Sequence, residues 1–488
     1  MRTLAACVLA RLLALSPVVG LAVVAAGCAS TVPYERPAAP PLPAAFKENA
    51  DWKSAAPADQ AARGAWWEVF QDPQLNALEE QIDGASLTLR MAQARFVQAR
   101  AAIAINRSGR YPQVTLTPQI TRGNESGNRP NATEHTSVSQ FLLPVDLSYE
   151  IDAWGRVRQT IEASRAAAQA SAADLETVRL SLHAELALDY FALRSLDAER
   201  ALLENSVVAF QRALELTQNR FAGGIASGAD VALAETALHS TRAQAVDLGS
   251  RRAALEHAVA VLVGKAPAAL QLPSSPIVNP PPDVPAGLPS ALLERRPDIA
   301  AAERRVAAAS AEVGVANAAF FPRLLLTASA GFESRSLASW LTGLSTFWSA
   351  GPAAAITLFD GGRRRAVKEE AQAGLDESVA AYHDAILRSL QDVEDNLADL
   401  RILREEADIQ AAAIAAAERS VTLSTNRYRG GVASYLEVVA SQTAALNNQR
   451  TAVTILSRRL AASVLLIKAL GGGWDPASLP ALKTGSRN

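Results

Sequence analysis

Two hydropathy rhythms alternate along this chain, and each occurs twice. A stretch rich in Ala, Gln and Arg keeps a helical period up to about Arg110 and stops before Tyr111-Pro112, because proline biases the residue before it out of the helical region. The rhythm then switches to period two. Gln113, Thr115, Thr117, Gln119 and Thr121 alternate with Val114, Leu116, Pro118 and Ile120. A polar loop follows at Gly123–Asn128, after which Asp146, Ser148, Glu150 and Asp152 alternate with Val145, Leu147, Tyr149 and Ile151. Strands at about 113–122 and 144–152 are expected. Polar groups on one face and apolar groups on the other fit a barrel with a wet lumen, and equally a half-buried sheet in a soluble domain.

From Arg156 to Ala222, and again from Arg363 to Arg429, there is no proline, and Gly374 is the only glycine. Each stretch predicts a single helix of about 100 Å at a rise of roughly 1.5 Å per residue. Ile386, Leu390, Val393, Leu397 and Leu400 fall at alternating spacings of four and three, the seam of a coiled coil. Both helices run into a Gly-Gly pair, which suits a stop and reversal. The chain then returns through Val231–Gly264 and Val438–Gly471.

The second half repeats the first. Residues 219–231 and 426–438 are identical at seven of thirteen positions, and Phe221/Tyr428, Ile225/Val432 and Asp230/Glu437 are conservative pairs. The offset of 207 also pairs Gly155-Arg156 with Gly362-Arg363 and Gly264 with Gly471. Upstream, an offset of 210 pairs Arg95 with Arg305 and Tyr111-Pro112 with Phe321-Pro322. One unit has been duplicated in tandem. In the second copy Leu324, Leu326, Ala328 and Ala330 form an apolar face after Pro322, and Ala354, Ile356 and Leu358 form another before Asp360-Gly361-Gly362. The strands expected there are about 323–333 and 352–359, with Trp340, Phe347 and Trp348 between them. The divisions are 1–27, 28–65, a first repeat at 66–272, a second at 283–475, and a tail at 476–488.

Four strands are too few to close, since known single barrels need at least about eight, and an open sheet in lipid would leave its edges unpaired. If the sheet crosses a membrane, copies must share it. Eight strands leave room only for side chains and larger barrels leave a water channel, so three copies are favoured over two.

The N-terminus opens with Met1 and Arg2, continues through an apolar run, and ends in Ala25-Ala26-Gly27-Cys28. That is the outline of a secretory signal over 1–27. Its end resembles a lipoprotein processing box, with Ala25 where Leu is usual, and Cys28 then becomes the first mature residue and carries the lipid. Ala29 after it, rather than Asp, suggests outer-membrane sorting. Cys7 and Cys28 are the only cysteines, so the mature chain has no internal disulfide and acylation accounts for its odd thiol. A net charge of −2 gives no footprint for nucleic acid. Past residue 27 no segment offers about 18 consecutive apolar residues, so no helix is expected to span a bilayer.

Leu292-Leu293-Glu294-Arg295-Arg296-Pro297-Asp298-Ile299, followed by Ala302-Glu303-Arg304-Arg305 and Phe320-Phe321-Pro322, resembles the mid-chain signature of TolC-like outer-membrane efflux proteins, closest to their OprM/NodT-type lipoprotein branch. Tyr34, Arg36 and Pro37, then Trp66-Trp67 with Phe70, Asp72, Pro73 and Leu75, look like that branch's mature start, and Leu470-Gly471-Gly472-Gly473-Trp474 like its end. The resemblance covers about residues 28–475. It implies a mostly α fold with a membrane β-barrel portion: a homotrimer whose twelve-stranded barrel stands on a long periplasmic helical barrel with an equatorial belt. It implies a periplasmic adaptor protein and an inner-membrane transporter, of the proton-driven RND type, as partners. The Gly-Gly tips, Gly223-Gly224 and Gly430-Gly431, would form the periplasmic mouth and meet the adaptor. Glu437 matches an acidic position of the aperture and Tyr428 a gating tyrosine, with Asp230 the first-repeat counterpart of Glu437. Ala440 and Ala433 stand where the family has a second acid and an arginine. Read without the resemblance, Glu437 and Asp230 are solvated carboxylates near a helix start, where they suit the dipole.

Enzyme chemistry finds little support. His135, His183, His239, His257 and His383 are not at metal-ligand spacing, and no glycine-rich phosphate loop follows a strand. Gly361-Gly362-Arg363 reads as a strand-to-helix turn and Arg363-Arg364-Arg365 as a solvated collar. No catalysis, cofactor or metal is expected. The expected function is a passive outer-membrane exit duct for small molecules, with a duct for protein secretion or a coiled-coil envelope tether as alternatives.

Overall fold

The computed structural model describes residues 34–49, 64–125, 136–277, 280–282, 284 and 295–473. The signal, Cys28, the Leu292–Glu294 part of the signature, Trp474 and the 476–488 tail lie outside the described residues.

Asp72 starts the first helix. Its Oδ1 accepts from the Gln74 and Leu75 N–H groups at 2.9 and 3.1 Å, and Pro73 fills the first helical position, where its missing N–H costs nothing. The helices are α1 (Pro73–Ala85), α2 (Leu87–Ser108), α3 (Arg156–Ala222), α4 (Gly228–Leu262), α5 (Pro297–Ala318), α6 (Arg363–Arg429) and α7 (Tyr435–Ala469). The strands are β1 (Gln113–Leu116), β2 (Gln119–Glu125), β3 (Thr136–Ile151), β4 (Arg323–Ser334) and β5 (Thr346–Ala355). Helices α3 and α6 have 67 residues each, and α4 and α7 return alongside them as antiparallel hairpins. Near the sheet α2, α3, α5 and α6 lie side by side, and the hairpins meet through α3 and α7.

Strand boundaries depart from the alternation in three places. The expected 113–122 strand is broken at Thr117-Pro118 into β1 and β2, since Pro118 has no N–H to give the ladder. β3 begins at Thr136, well before 144, because β2 runs on to Glu125 and pairs there with Thr136. β5 occupies 346–355 rather than 352–359. Its ladder with β4 starts at Phe332↔Thr346 and runs out at Arg323↔Ala355, where β4 itself begins after Pro322. Ile356 and Leu358 therefore lie past the sheet, and Phe347 and Trp348 lie in it.

The register sorts the strands into two faces. Val114, Leu147, Ala328 and Ala350 line up across the sheet, as do Leu116, Val145, Ala330 and Trp348, and Tyr149, Leu326 and Pro352. The opposite face carries Thr115, Asp146, Ser329 and Ser349 in one row and Gln113, Ser148, Thr327 and Gly351 in the next. Gly331 is needed where β3 crosses β4, because a Cβ there would stand 2.0 Å from the Leu143 carbonyl oxygen.

Each strand hairpin turns into its long helix on positive-φ glycine, Gly155 at 80° and Gly362 at 92°. An aspartate caps each turn. Asp152 accepts from the Val157 and Arg158 N–H groups, both at 2.9 Å, and Asp360 from Gly362 and Arg364 at 3.1 and 3.3 Å. Gly361-Gly362-Arg363 is thus a strand-to-helix turn, and Arg364 of the basic run pairs with Asp360 at 2.6 Å.

Halfway down lies the main core. Trp66, Trp67 and Phe70 pack with Leu75, Ile82, Tyr190, Leu193, Ile386, Val393, Leu397 and Val464, so the coiled-coil spacing on α6 does mark its buried stripe. Gly264 and Gly471 end the returning helices at φ of 68° and 93°. A Cβ on them would come within 2.3 Å of the Ala85 carbonyl oxygen and 2.2 Å of the Arg295 one. The pseudo-symmetric glycines thus seat both returning helices on equivalent backbone. The N-terminal segment closes over this core: the Tyr34 hydroxyl donates to Glu303 at 2.7 Å, and the Lys47 and Glu48 N–H groups donate to the Glu394 carboxylate. Beneath it, Glu79 and His183 are buried together, His183 Nδ1 2.7 Å from Glu79 Oε2, with the Trp67 ring stacked on the imidazole at 4.4 Å.

Candidate functional site

The two hairpin tips are the sequence-predicted site, and their backbone follows from one rule applied twice. Gly224 N–H donates to the Phe221 carbonyl at 2.9 Å and Ile225 N–H to Arg220 at 2.8 Å. Gly431 N–H donates to Tyr428 at 3.0 Å and Val432 N–H to Arg427 at 3.0 Å. These nested bonds satisfy the last free carbonyls and require a left-handed residue. Gly224 and Gly431 supply it at φ of 72° and 76°. Gly223 and Gly430 have negative φ, so only the second glycine of each pair is demanded by the turn.

Beyond the turns the repeats part company. Ser227 and Asp230 form a reciprocal capping box at the start of α4, with Asp230 Oδ2 accepting from the Ser227 N–H at 3.0 Å and from its hydroxyl at 2.8 Å. The carboxylate of Asp230 is held by its own helix. Ser434 makes no such cap for α7, and Glu437 instead faces Arg427 across the hairpin at 3.3 Å. Glu437 sits in an open groove of about 670 Å³ lined by Arg419, Leu423, Arg427, Ala440 and Ser441.

Tyr428 is buried rather than open to the mouth. Its hydroxyl donates to Thr217 Oγ1 at 3.3 Å and its ring meets Tyr435 edge-on at 5.5 Å. The Arg220 guanidinium lies over that ring at 4.7 Å, and its Nη1 donates to the Arg429 carbonyl at 3.3 Å. Thr217 and Arg220 of α3 are thereby tied to Tyr428 and Arg429 at the second hairpin's tip, over a small core of Leu203, Phe210, Leu214, Leu238, Tyr435 and Val438. Burial, helped by the nearby Tyr428, pushes the Tyr435 hydroxyl up to about 12, so it stays neutral. Arg220, Thr217 and Tyr435 are not evident from the sequence as a set. The one available signal is that Arg220 is the repeat counterpart of Arg427.

At the far end, the apolar face of the sheet is bare: Val114, Leu116, Ile120, Val145, Leu326 and Trp348 are all exposed. Among the described residues no helix is long and apolar enough to cross a membrane. The family model described as "Outer membrane efflux protein" matches residues 79–265 and 288–472, once per repeat. The chain belongs to the outer membrane efflux protein family. It is 32% identical over 479 residues to the outer membrane protein OprJ of Pseudomonas aeruginosa, spanning 96% of this chain and 98% of that one. It is also 32% identical to the toluene efflux pump outer membrane protein TtgI of Pseudomonas putida, over 92% of this chain and 96% of the relative. Its fold is similar to the solved outer-membrane channel OprN, with a TM-score of 0.85, 29% identity, and coverage of 92% of this chain and 100% of that one. As in this family, the place of the chain is the outer membrane, its sheet is the membrane β-barrel portion, and its function is that of an outer-membrane efflux channel.

Proposed function

We propose that three copies of this chain close a twelve-stranded barrel over a common helical tunnel, and that this duct passively conducts small molecules delivered by an inner-membrane transporter of the RND type through a periplasmic adaptor. The observation that carries the proposal is the sheet's two open edges. Among the described residues β1 and β2 pair only with β3, and β5 only with β4, while one face carries a continuous apolar band. That apolar band runs from the Tyr149–Leu326 row to the Ile120–Phe141 row, and Arg122 and Ser139 beyond it are polar; open edges along such a band are intolerable in lipid unless another chain covers them. The helical wall has matching needs: Met91, Val97 and Ile105 on α2, and Leu387, Ile402, Ile409 and Leu423 on α6, are exposed apolar residues on its outer members. Cys28 would carry the lipid anchor, with 66–272 and 283–475 as the two repeats.

The Gly223-Gly224 and Gly430-Gly431 turns are the adaptor's contact in this reading, and the exposed Phe221, Ile225, Val432 and Leu436 beside them supply the apolar part of that surface. Glu437 is the acidic residue of the aperture. Tyr428 acts from behind it, by holding the second hairpin to the first, and Asp230 keeps the first tip rigid. The test is electrophoresis of detergent-solubilised protein with and without boiling, paired with conductance in planar bilayers. A heat-modifiable trimer band that conducts is expected. A monomer without β signal removes the proposal.

A further inference from the structure

We propose that the outer loop of the second strand hairpin, residues 337–345, beyond the exposed Arg335, is not a water-facing connector but a membrane-immersed wedge whose partner is the acyl region of the lipid around the barrel. The proposal rests on the reading that the sheet's apolar face meets lipid, and it extends that face beyond the strands.

The direction of the loop is given by one contact. Trp340 packs against Phe141 with ring centroids 5.6 Å apart. Phe141 belongs to the odd-numbered row of β3 with Leu143, Val145 and Leu147, which is the apolar face. The loop therefore leans over the outside of the sheet and not over its polar face, where Gln140 and Glu333 are hydrogen-bonded to each other at 2.9 Å. Around Trp340 the loop presents Leu337, Leu341 and Leu344, the last fully exposed, and Trp348 is four-fifths exposed on the same face of β5. Four large apolar side chains at one loop are costly in water, while Trp at the end of an apolar band suits a membrane interface.

The backbone of the loop is built for such a place. Polar main-chain groups in lipid must be satisfied from within, and serine and threonine satisfy several of them here, while the buried Trp340 Nε1 has no partner. Ser334 Oγ donates to the Ser336 carbonyl at 2.9 Å and accepts from the Ser336 N–H at 3.1 Å. Thr342 Oγ1 and Ser345 Oγ donate to the Ser339 carbonyl at 2.8 and 2.7 Å, and Thr346 Oγ1 to Gly343 at 2.8 Å. The N–H groups of Trp340, Thr342 and Ser345 close short turns on Leu337, Ser339 and Thr342. The hydroxyls are thus spent on the loop's own backbone, and the leucines are left outside.

The experiment labels single cysteines with an environment-sensitive fluorophore in the full-length protein, reconstituted into phosphatidylcholine–phosphatidylglycerol vesicles. Leu341→Cys and Leu344→Cys probe the loop, Leu116→Cys the strand face, and Ser148→Cys the polar face. Wild-type protein carried through labelling gives the background of Cys28. Leu344 packs on nothing, so its variant keeps the test alive if Leu341→Cys misfolds. The expected result is that acyl-chain nitroxide lipids quench the loop labels as they quench the Leu116 label, and that iodide quenches only the Ser148 label. Lipid quenching at Leu116 with iodide quenching at Leu341 and Leu344 would overturn the wedge while leaving the barrel intact. No lipid quenching at Leu116 would overturn both.

Discussion

The tie between hairpins at the tip invites a quantitative test. Arg220 contributes a cation–π contact to Tyr428 and a hydrogen bond to the Arg429 carbonyl. The first is worth about 1 kcal/mol at a partly exposed site. The second is solvent-exposed, so about 0.5–1 kcal/mol is appropriate. Arg220→Ala should therefore ease separation of the two hairpins by about 1.5–2 kcal/mol per protomer, a shift of roughly tenfold to thirtyfold in that equilibrium. Arg220→Lys keeps the charge but lacks the flat face and fork, and should lie between wild type and Ala. Planar-bilayer recording of purified protein reads the effect as a higher open probability or larger mean conductance, and cells carrying the variant should admit large, normally excluded antibiotics. Tyr428→Phe removes only the Thr217 bond and should give a smaller change of the same sign. If Arg220→Ala conducts as wild type does, and its tips are no more susceptible to protease, the hairpins are not held by this contact.

Gly264→Ala and Gly471→Ala each place a Cβ against a carbonyl oxygen at a positive φ, so both should abolish the folded trimer band, whereas Gly374→Ala, with nothing within 4 Å, should raise its melting temperature slightly. Burial, then the neighbouring Asp83, lift the Glu79 carboxyl to about 9 from an ordinary 4.5, and burial lowers His183 to about 4 from 6.5. A raised acid stabilises the fold fully below 4.5 and loses that contribution as pH climbs toward 9, while a lowered imidazole acts oppositely between 4 and 6.5. Stability should thus fall with pH only above about 6.5, and Glu79→Gln should flatten that decline in heat-denaturation curves at pH 6.5–9; an unchanged slope would show that Glu79 is not its source. Glu437→Gln should lower cation preference in single-channel current by removing one carboxylate per protomer from the mouth, and an unaltered reversal potential would remove Glu437 from the aperture.

The mostly α fold with a membrane sheet was legible because the chain states it twice, and because two proline-free stretches of that length admit few other conformations. Strand ends were less so. Alternation cannot tell where a partner stops, and β5 ends at Ala355 because β4 has no residue left to pair beyond Arg323, although Ile356 and Leu358 continue the pattern. At the tips, the glycines and the position of Glu437 could be read from the repeat. The work of Tyr428 could not, since its hydroxyl partner Thr217 is 211 residues away and belongs to the other copy of the unit. Asp230 and Glu437 look equivalent in sequence, and only the geometry of Ser227 separates a cap from a cross-hairpin ion pair.

That separation has a mechanical consequence. A ring assembled from such chains would alternate two kinds of finger, one whose knuckle is locked by a reciprocal cap of its own and one held by an exposed ion pair across the finger and by its neighbour. Force applied from outside would be absorbed almost entirely by the second kind. Compliance would then be threefold in a rim of six, so dilation should be a twist of alternate fingers and not a uniform widening.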